Sequence, residues 1–226
     1  MGKRKQYRVG DELANAYMSI PESGKGPGVI VLHAWWGLNA FFMKLCDLLS
    51  HEGFVALAPD LYHGEVATTI DEARSLRSKI NRNAANTEMK EAITYLLSHE
   101  AVVKPKVSLI GFSLGASYAN WLAINKPKDI QSVVLFYGEG GGKFEKSKAT
   151  YLGHYAERDT YGAGPENIQV FKERLLKAGR EVTFYTYKDT EHWFFEEDRP
   201  DAYHAESAKL AWERTIEYLR KQYQYG

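Results

Sequence analysis

Short apolar runs alternate with amphipathic segments along almost the whole chain, and that alternation limits the folds open to it. Val29 to Leu32, Phe54 to Ala58, Val107 to Ile110 and Val133 to Tyr137 are strand-sized and apolar almost throughout. Successive strand residues point to opposite faces, so a run of this kind needs cover on both sides. A parallel sheet receives that cover from its crossover helices. The helical segments lie between the runs. Asn39 can cap a helix from Ala40 to about His51, with Phe41, Phe42, Leu45, Leu48 and Leu49 as its apolar stripe and Gly53 as its stop. Thr69 with Glu72 forms a capping box for a helix to about Ile80, and Asn86 starts another to about His99. Leu114 to Asn125 reads as helical, closed by Pro127. Gly164-Pro165 opens a helix to Lys177, which Gly179 ends, and Asp201 can cap a last helix to about Tyr223. Thr150 to Ala156 and Glu181 to Tyr187 supply two further strands, and Leu13 to Ile20 one more at an edge. The expectation is an α/β fold with a mostly parallel central sheet and helices on both faces. No shift in composition divides the chain, so one domain over residues 1–226 is expected. The glycine-rich stretch Gly138 to Lys148 reads as a mobile surface loop.

Composition narrows the function classes. A chain of 226 residues can bury a full core without staples. Its 29 Lys+Arg balance 29 Asp+Glu, which argues against a nucleic-acid partner or a polybasic membrane contact. The single cysteine, Cys46, excludes a disulfide within the chain and a cysteine-rich metal site. It falls on the apolar side of the first expected helix and reads as a small buried hydrophobe. The start, Met1-Gly2-Lys3-Arg4-Lys5-Gln6, is not followed by an apolar stretch and is not a secretory signal. Gln6 stands where a myristoylation pattern wants Ser or Thr. No run approaches the ~20 apolar residues of a spanning helix. A cytoplasmic protein with no membrane contact is the expectation.

Gly111-Phe112-Ser113-Leu114-Gly115 carries the chemistry. It fits G-x-S-x-G, and its setting gives the pattern weight: an apolar strand before it and a helix of small and apolar residues after it. Glycines flank the serine because a tight strand-to-helix turn leaves no room for side chains. Such a turn aims the Ser113 hydroxyl out of the C-terminal edge of the sheet, where open α/β sheets hold ligands.

A serine hydroxyl needs a base, and the base needs an orienting acid. On an elbow of this kind the partners follow in the order Ser, acid, His. His33, His51, His63 and His99 precede Ser113. His154 falls inside an expected strand and His204 inside the last expected helix. His192 falls in the loop between the Glu181 to Tyr187 strand and the last helix, where the base belongs. Among the acids after Thr150 to Ala156, Asp159 lies past the strand end, with Glu157 and Asp189 as competitors. An oxyanion hole needs two N–H donors. Leu114 follows the nucleophile. Trp35, in the loop His33-Ala34-Trp35-Trp36-Gly37 after the first apolar run, is the second choice of donor. Trp36 could form an aromatic wall or plain packing.

These segments together resemble the dienelactone hydrolase family of the α/β-hydrolase superfamily. The resemblance runs from about Val29 to Tyr218. It rests on VIVLHAWWGLN (29–39), FVALAPDLYHG (54–64), VSLIGFSLGA (107–116), VLFYGEGG (134–141), GHYAERD (153–159), EHWFFEEDRPDAY (191–203) and AWERTIEYL (211–219), which match in order and spacing. It implies Ser113, Asp159 and His192 as a triad with Leu114 and Trp35 as oxyanion donors. It also points to Tyr137 and Arg199 as substrate-side residues, to which Trp36 and Trp193 are added as candidates from their place beside the site loops. Two departures stand out. The family prototype has a cysteine nucleophile and pairs it with a glutamate; here Ser113 and Ala34 occupy those places. The joint loss is self-consistent and argues against ring opening of a dienelactone as the physiological reaction. Arg199 lies further from His192 than the corresponding arginine of the prototype. The expectation is a serine hydrolase of small esters or lactones that needs no metal or organic cofactor. Rival readings are an acyl or peptide hydrolase with the same triad, and a non-catalytic binding protein on the same fold.

Overall fold

The computed structural model describes residues 1–162 and 164–224. It has eight strands in the order β1-β2-β4-β3-β5-β6-β7-β8. The chain divides into two compact units, Met1–Leu109 and Ile110–Gly226, with the boundary inside strand β5 (Val107–Phe112).

The first unit opens with a hairpin. β1 (Lys3–Val9) and β2 (Glu12–Ser19) pair antiparallel across Gly10-Asp11, where Gly10 takes φ 59°. β2 then pairs antiparallel with β4 (Val55–Pro59), and β4 pairs parallel with β3 (Gly28–Leu32). Every residue of β3 and β4 is buried, so both faces of these strands are covered. Helix α1 (Ala40–His51) packs on β4 and β2. Its cap is the one expected, with the Asn39 side chain accepting from Phe42 N–H at 3.2 Å. Cys46 is fully buried in α1, and burial pushes its thiol pKa up. Helix α2 (Ile70–Lys79) carries the expected Thr69/Glu72 capping box.

Two features differ from expectation here. The segment expected as an edge strand, β2, lies one place in; β1 is the edge. β1 carries no apolar pattern: Tyr7 is its only buried residue, and Lys3, Arg4, Lys5 and Arg8 make most of the rest charged, as suits an unpaired border. Helix α3 (Arg82–Ser98) begins before Asn86, because the Asn81 side chain already accepts from the N–H groups of Asn83 and Ala84.

In the second unit, β6 (Ile130–Phe136), β7 (Thr150–Ala156) and β8 (Val182–Tyr187) run parallel. α4 (Leu114–Asn125) packs on β6, α5 (Pro165–Lys177) on β8, and α6 (Ala205–Gln224) on β6 and β7. β6 stops one residue short of Tyr137, which turns to φ 38°. The stretch Gly138 to Lys148 contains a 3₁₀ turn, Phe144–Lys146. Phe144 is buried there against Tyr151 and Phe171. Helix α6 starts after His204, not at Asp201. The backbone from Asp198 to Ala202 is taken up in a turn through Arg199, whose carbonyl accepts from Ala202 and Tyr203. His204 therefore stands before the helix, and its Nδ1 accepts from Ser207 N–H at 3.3 Å. Among the described residues no helix is long and apolar enough to cross a membrane.

Candidate active site

The site grows from the end of β5. The chain leaves Phe112, turns at Ser113 with φ 49° and ψ −106°, and enters α4 at Leu114. This is sparsely populated backbone for a residue with a Cβ, and the surroundings hold it there. Ser113 N–H donates to Phe136 C=O at 3.0 Å, and Ala116 N–H donates to Ser113 C=O at 3.0 Å. A Cβ on Gly111 would come within 2.6 Å of Gly115 O and 2.8 Å of Ala116 Cα. On Gly138 it would meet Ala116 Cβ at 2.6 Å and Ser113 O at 2.8 Å. Both glycines let neighbouring backbone close tightly around the serine.

Two loops bring partners to it. The turn after β8 presents His192, which is 2% exposed. Its Nε2 lies 2.9 Å from Ser113 Oγ, and its Nδ1 lies 2.7 Å from Asp159 Oδ2. With Nδ1–H directed at the carboxylate, Nε2 is left to accept from the serine hydroxyl. The turn after β7 presents Asp159, whose other oxygen accepts from Tyr161 N–H at 2.9 Å and Gly162 N–H at 2.6 Å. These two amides fix the carboxylate while one oxygen holds the imidazole. The rival acids are directed elsewhere. Glu157 accepts from Asp189 N–H at 2.9 Å, and Asp189 is paired with the Arg158 guanidinium.

Aromatic rings surround the histidine. Tyr137 packs against the imidazole with centroids 4.8 Å apart, and Trp193 meets it edge-on, also at 4.8 Å. Trp193 takes φ 68°, and its ring lies 4.6 Å from that of Tyr161. Arg199 sits in the turn beyond, 4.0 Å from the Asp198 carboxylate. Trp35 and Trp36 belong to the first unit, on the turn after β3, with their rings edge to face at 5.5 Å; Trp36 is buried there. Leu114 is the first residue of α4. Its N–H is one of the first-turn amides that no intrahelical carbonyl satisfies. Among the described residues no cluster of three or more His, Cys, Asp or Glu could hold a metal.

One residue beside the site has no place in the sequence reading. Glu196 is fully buried, and its Oε1 accepts from the Tyr137 hydroxyl at 2.5 Å. Burial raises its pKa to about 8. The signal was there to read: an acid directly after the aromatic run Trp193-Phe194-Phe195 must be buried with it or break the run.

A mostly parallel sheet, a serine on a strained strand-to-helix turn and a histidine bridging it to a carboxylate define an α/β-hydrolase. The dienelactone hydrolase family profile matches residues 14–223, and the chain belongs to that family. It is a dienelactone hydrolase-like carboxylic ester hydrolase. It is 30% identical to protein usf of Aquifex pyrophilus, over 98% of this chain and 99% of that protein. It superposes on the crystal structure of a dienelactone hydrolase-like promiscuous phosphotriesterase from metagenomic libraries with a TM-score of 0.86. That match has 19% identity and covers 98% of both chains. Est1E of Butyrivibrio proteoclasticus shares the fold more distantly, with a TM-score of 0.72 at 12% identity, covering 98% of this chain and 99% of that one.

Proposed function

We propose that the protein cleaves ester or lactone bonds of a small substrate through an acyl-enzyme on Ser113. One observation carries the reading: the His192 ring bridges Ser113 Oγ and Asp159 Oδ2 at 2.9 and 2.7 Å. His192 takes the Ser113 proton as Oγ attacks the carbonyl carbon. Asp159 holds the imidazole in the right tautomer and stabilises its charged form. The imidazolium then protonates the leaving oxygen as the carbon–oxygen bond breaks. Water repeats the sequence on the acyl-enzyme and releases the acid. The Leu114 N–H, at the positive end of α4, is aimed to stabilise the tetrahedral oxyanion. Trp35 N–H is the second donor on the sequence reading alone. The mechanism calls on protein groups only. Tyr137, Trp193, Trp36 and Arg199 are the proposed substrate-side residues.

A fluorophosphonate probe tests the reading. Stoichiometric labelling of the intact chain, lost in Ser113→Ala together with hydrolysis of p-nitrophenyl esters, is the expected result. Labelling that persists in the variant would remove Ser113 as nucleophile. No labelling of the intact chain would favour a binding protein. A panel of aryl esters, lactones and aminoacyl amides separates an esterase from an acyl or peptide hydrolase.

A further inference from the structure

Behind His192 stands a carboxyl group that the proposed reaction does not use. Glu196 follows the histidine by one turn, with its N–H bonded to Trp193 C=O at 2.8 Å. Its side chain is 0% exposed. Oε1 accepts from the Tyr137 hydroxyl, and Oε2 has no hydrogen-bond partner among the described residues. Tyr137 is itself fully buried. Its N–H is bonded to His154 C=O at 2.8 Å, and its backbone is held at φ 38°. The tyrosine is thus tied at its backbone and at its hydroxyl, and its ring rests on the imidazole with planes tilted by 59°. Both ring nitrogens of His192 are engaged, by Ser113 and Asp159. Packing against Tyr137 and Trp193 is what then fixes the tilt of the ring.

We propose that Glu196, in its neutral form, is a positioning residue for His192 that acts through Tyr137. This rests on the reading of His192 as the base. The groups facing Glu196 are the Tyr137 hydroxyl, the Asp198 carboxylate and the Arg199 guanidinium; the first and last favour its charged form, and burial, with Asp198, outweighs them. A neutral carboxyl can remain in this apolar setting with one strong hydrogen bond. An anion there would have a single donor for two oxygens, and burial without partners is costly. Losing the proton therefore drives the turn that carries Glu196 to open toward water. That motion releases the Tyr137 hydroxyl and, with it, the support of the imidazole.

The test is steady-state hydrolysis of p-nitrophenyl acetate from about pH 6 to 9 by the full chain and four variants, with the fluorophosphonate labelling rate as a second readout. Glu196→Ala is expected to lower kcat at least ~10-fold at neutral pH with KM little changed. Glu196→Gln, which keeps a neutral partner for the tyrosine at every pH, is expected to restore most of that loss. It should also lack the alkaline decline of the intact protein. Tyr137→Phe, which removes the linked hydroxyl, should match Glu196→Ala. The proposal is overturned if Glu196→Ala keeps kcat within ~2-fold, or if Glu196→Gln shows the same alkaline decline. If the alanine variant fails to fold, the glutamine and phenylalanine profiles decide alone. Ser113→Ala separates the two levels: inactivity there with unaltered Glu196 variants removes only the role of Glu196, whereas activity there removes the triad reading itself.

Discussion

Gly162 carries no functional group, yet it is among the most constrained residues of the site. Its N–H bonds Asp159 at 2.6 Å. A Cβ would lie 2.8 Å from His192 Cε1, 2.9 Å from Asp159 Oδ2 and 2.9 Å from Tyr137 O. Gly162→Ala must therefore displace the carboxylate or the imidazole. A loss of kcat of at least ~10-fold is expected with a Tm change of only a few degrees, read by kinetics and thermal melting. An unchanged kcat would show that the turn yields without cost. The acid is tested in the same way. Asp159→Asn should lower kcat by roughly 10³–10⁴-fold through the wrong imidazole tautomer, while Glu157→Gln, exposed and bonded to Asp189, should change it little. Ser113 and His192 stood out in the sequence because chain order and element type leave few other places for them. Among three nearby acids, position past the strand end favoured Asp159, and it is the Asp159 carboxylate that lies beside His192 while Glu157 and Asp189 are bonded elsewhere. Glu196 was not legible as a neighbour of Tyr137. Their hydrogen bond spans 59 positions, and no local pattern encodes such a pairing.

Elements were legible where side chains announce their own ends. Asn39, the Thr69/Glu72 pair and Gly164-Pro165 mark helix starts by satisfying or removing first-turn N–H groups, and the structure begins α1, α2 and α5 there. The start of α3 is not fixed by residue type, because Asn86 and Asn81 are equally good caps. Asn81 is used because the chain turns there straight from α2, and its carbonyl accepts from Ala85 N–H at 2.9 Å. Asn81→Ala leaves the N–H groups of Asn83 and Ala84 without that side-chain acceptor. The cap is exposed, so water replaces part of the interaction. A loss of about 1 kcal/mol is expected, or about 2–4 °C in Tm for a chain of this size. Asn81→Asp should recover it, since aspartate caps as well and suits the helix dipole. An unchanged Tm in Asn81→Ala would show that the cap contributes nothing.

At the scale of the molecule, the alternation of apolar strands and helices was enough to specify the fold class. The division into two compact units was not marked in the sequence, because its boundary lies within β5, a continuous apolar strand. Two buried groups of the second unit couple the stability of the protein to pH, with opposite signs. His154, held between the Tyr187 and Thr215 hydroxyls at 2.8 and 3.0 Å, is pushed by burial from 6.5 to about 3. Between these values the unfolded chain binds the extra proton, so stability falls as pH drops from 6.5 toward 3. Glu196 is moved the other way by burial, from 4.5 to about 8. Between those values the folded chain holds the extra proton, so stability falls as pH rises from 4.5 toward 8. The two effects oppose each other between 4.5 and 6.5 and act singly outside it, Glu196 above and His154 below. Glu196→Gln removes one of them without emptying the site. The stability of the intact protein relative to this variant should therefore decline with rising pH, by at most about 1.4 kcal/mol per pH unit, and level off above 8. Urea unfolding at a series of pH values measures that difference directly, and parallel curves for the two proteins would mean that Glu196 is already ionised at neutral pH.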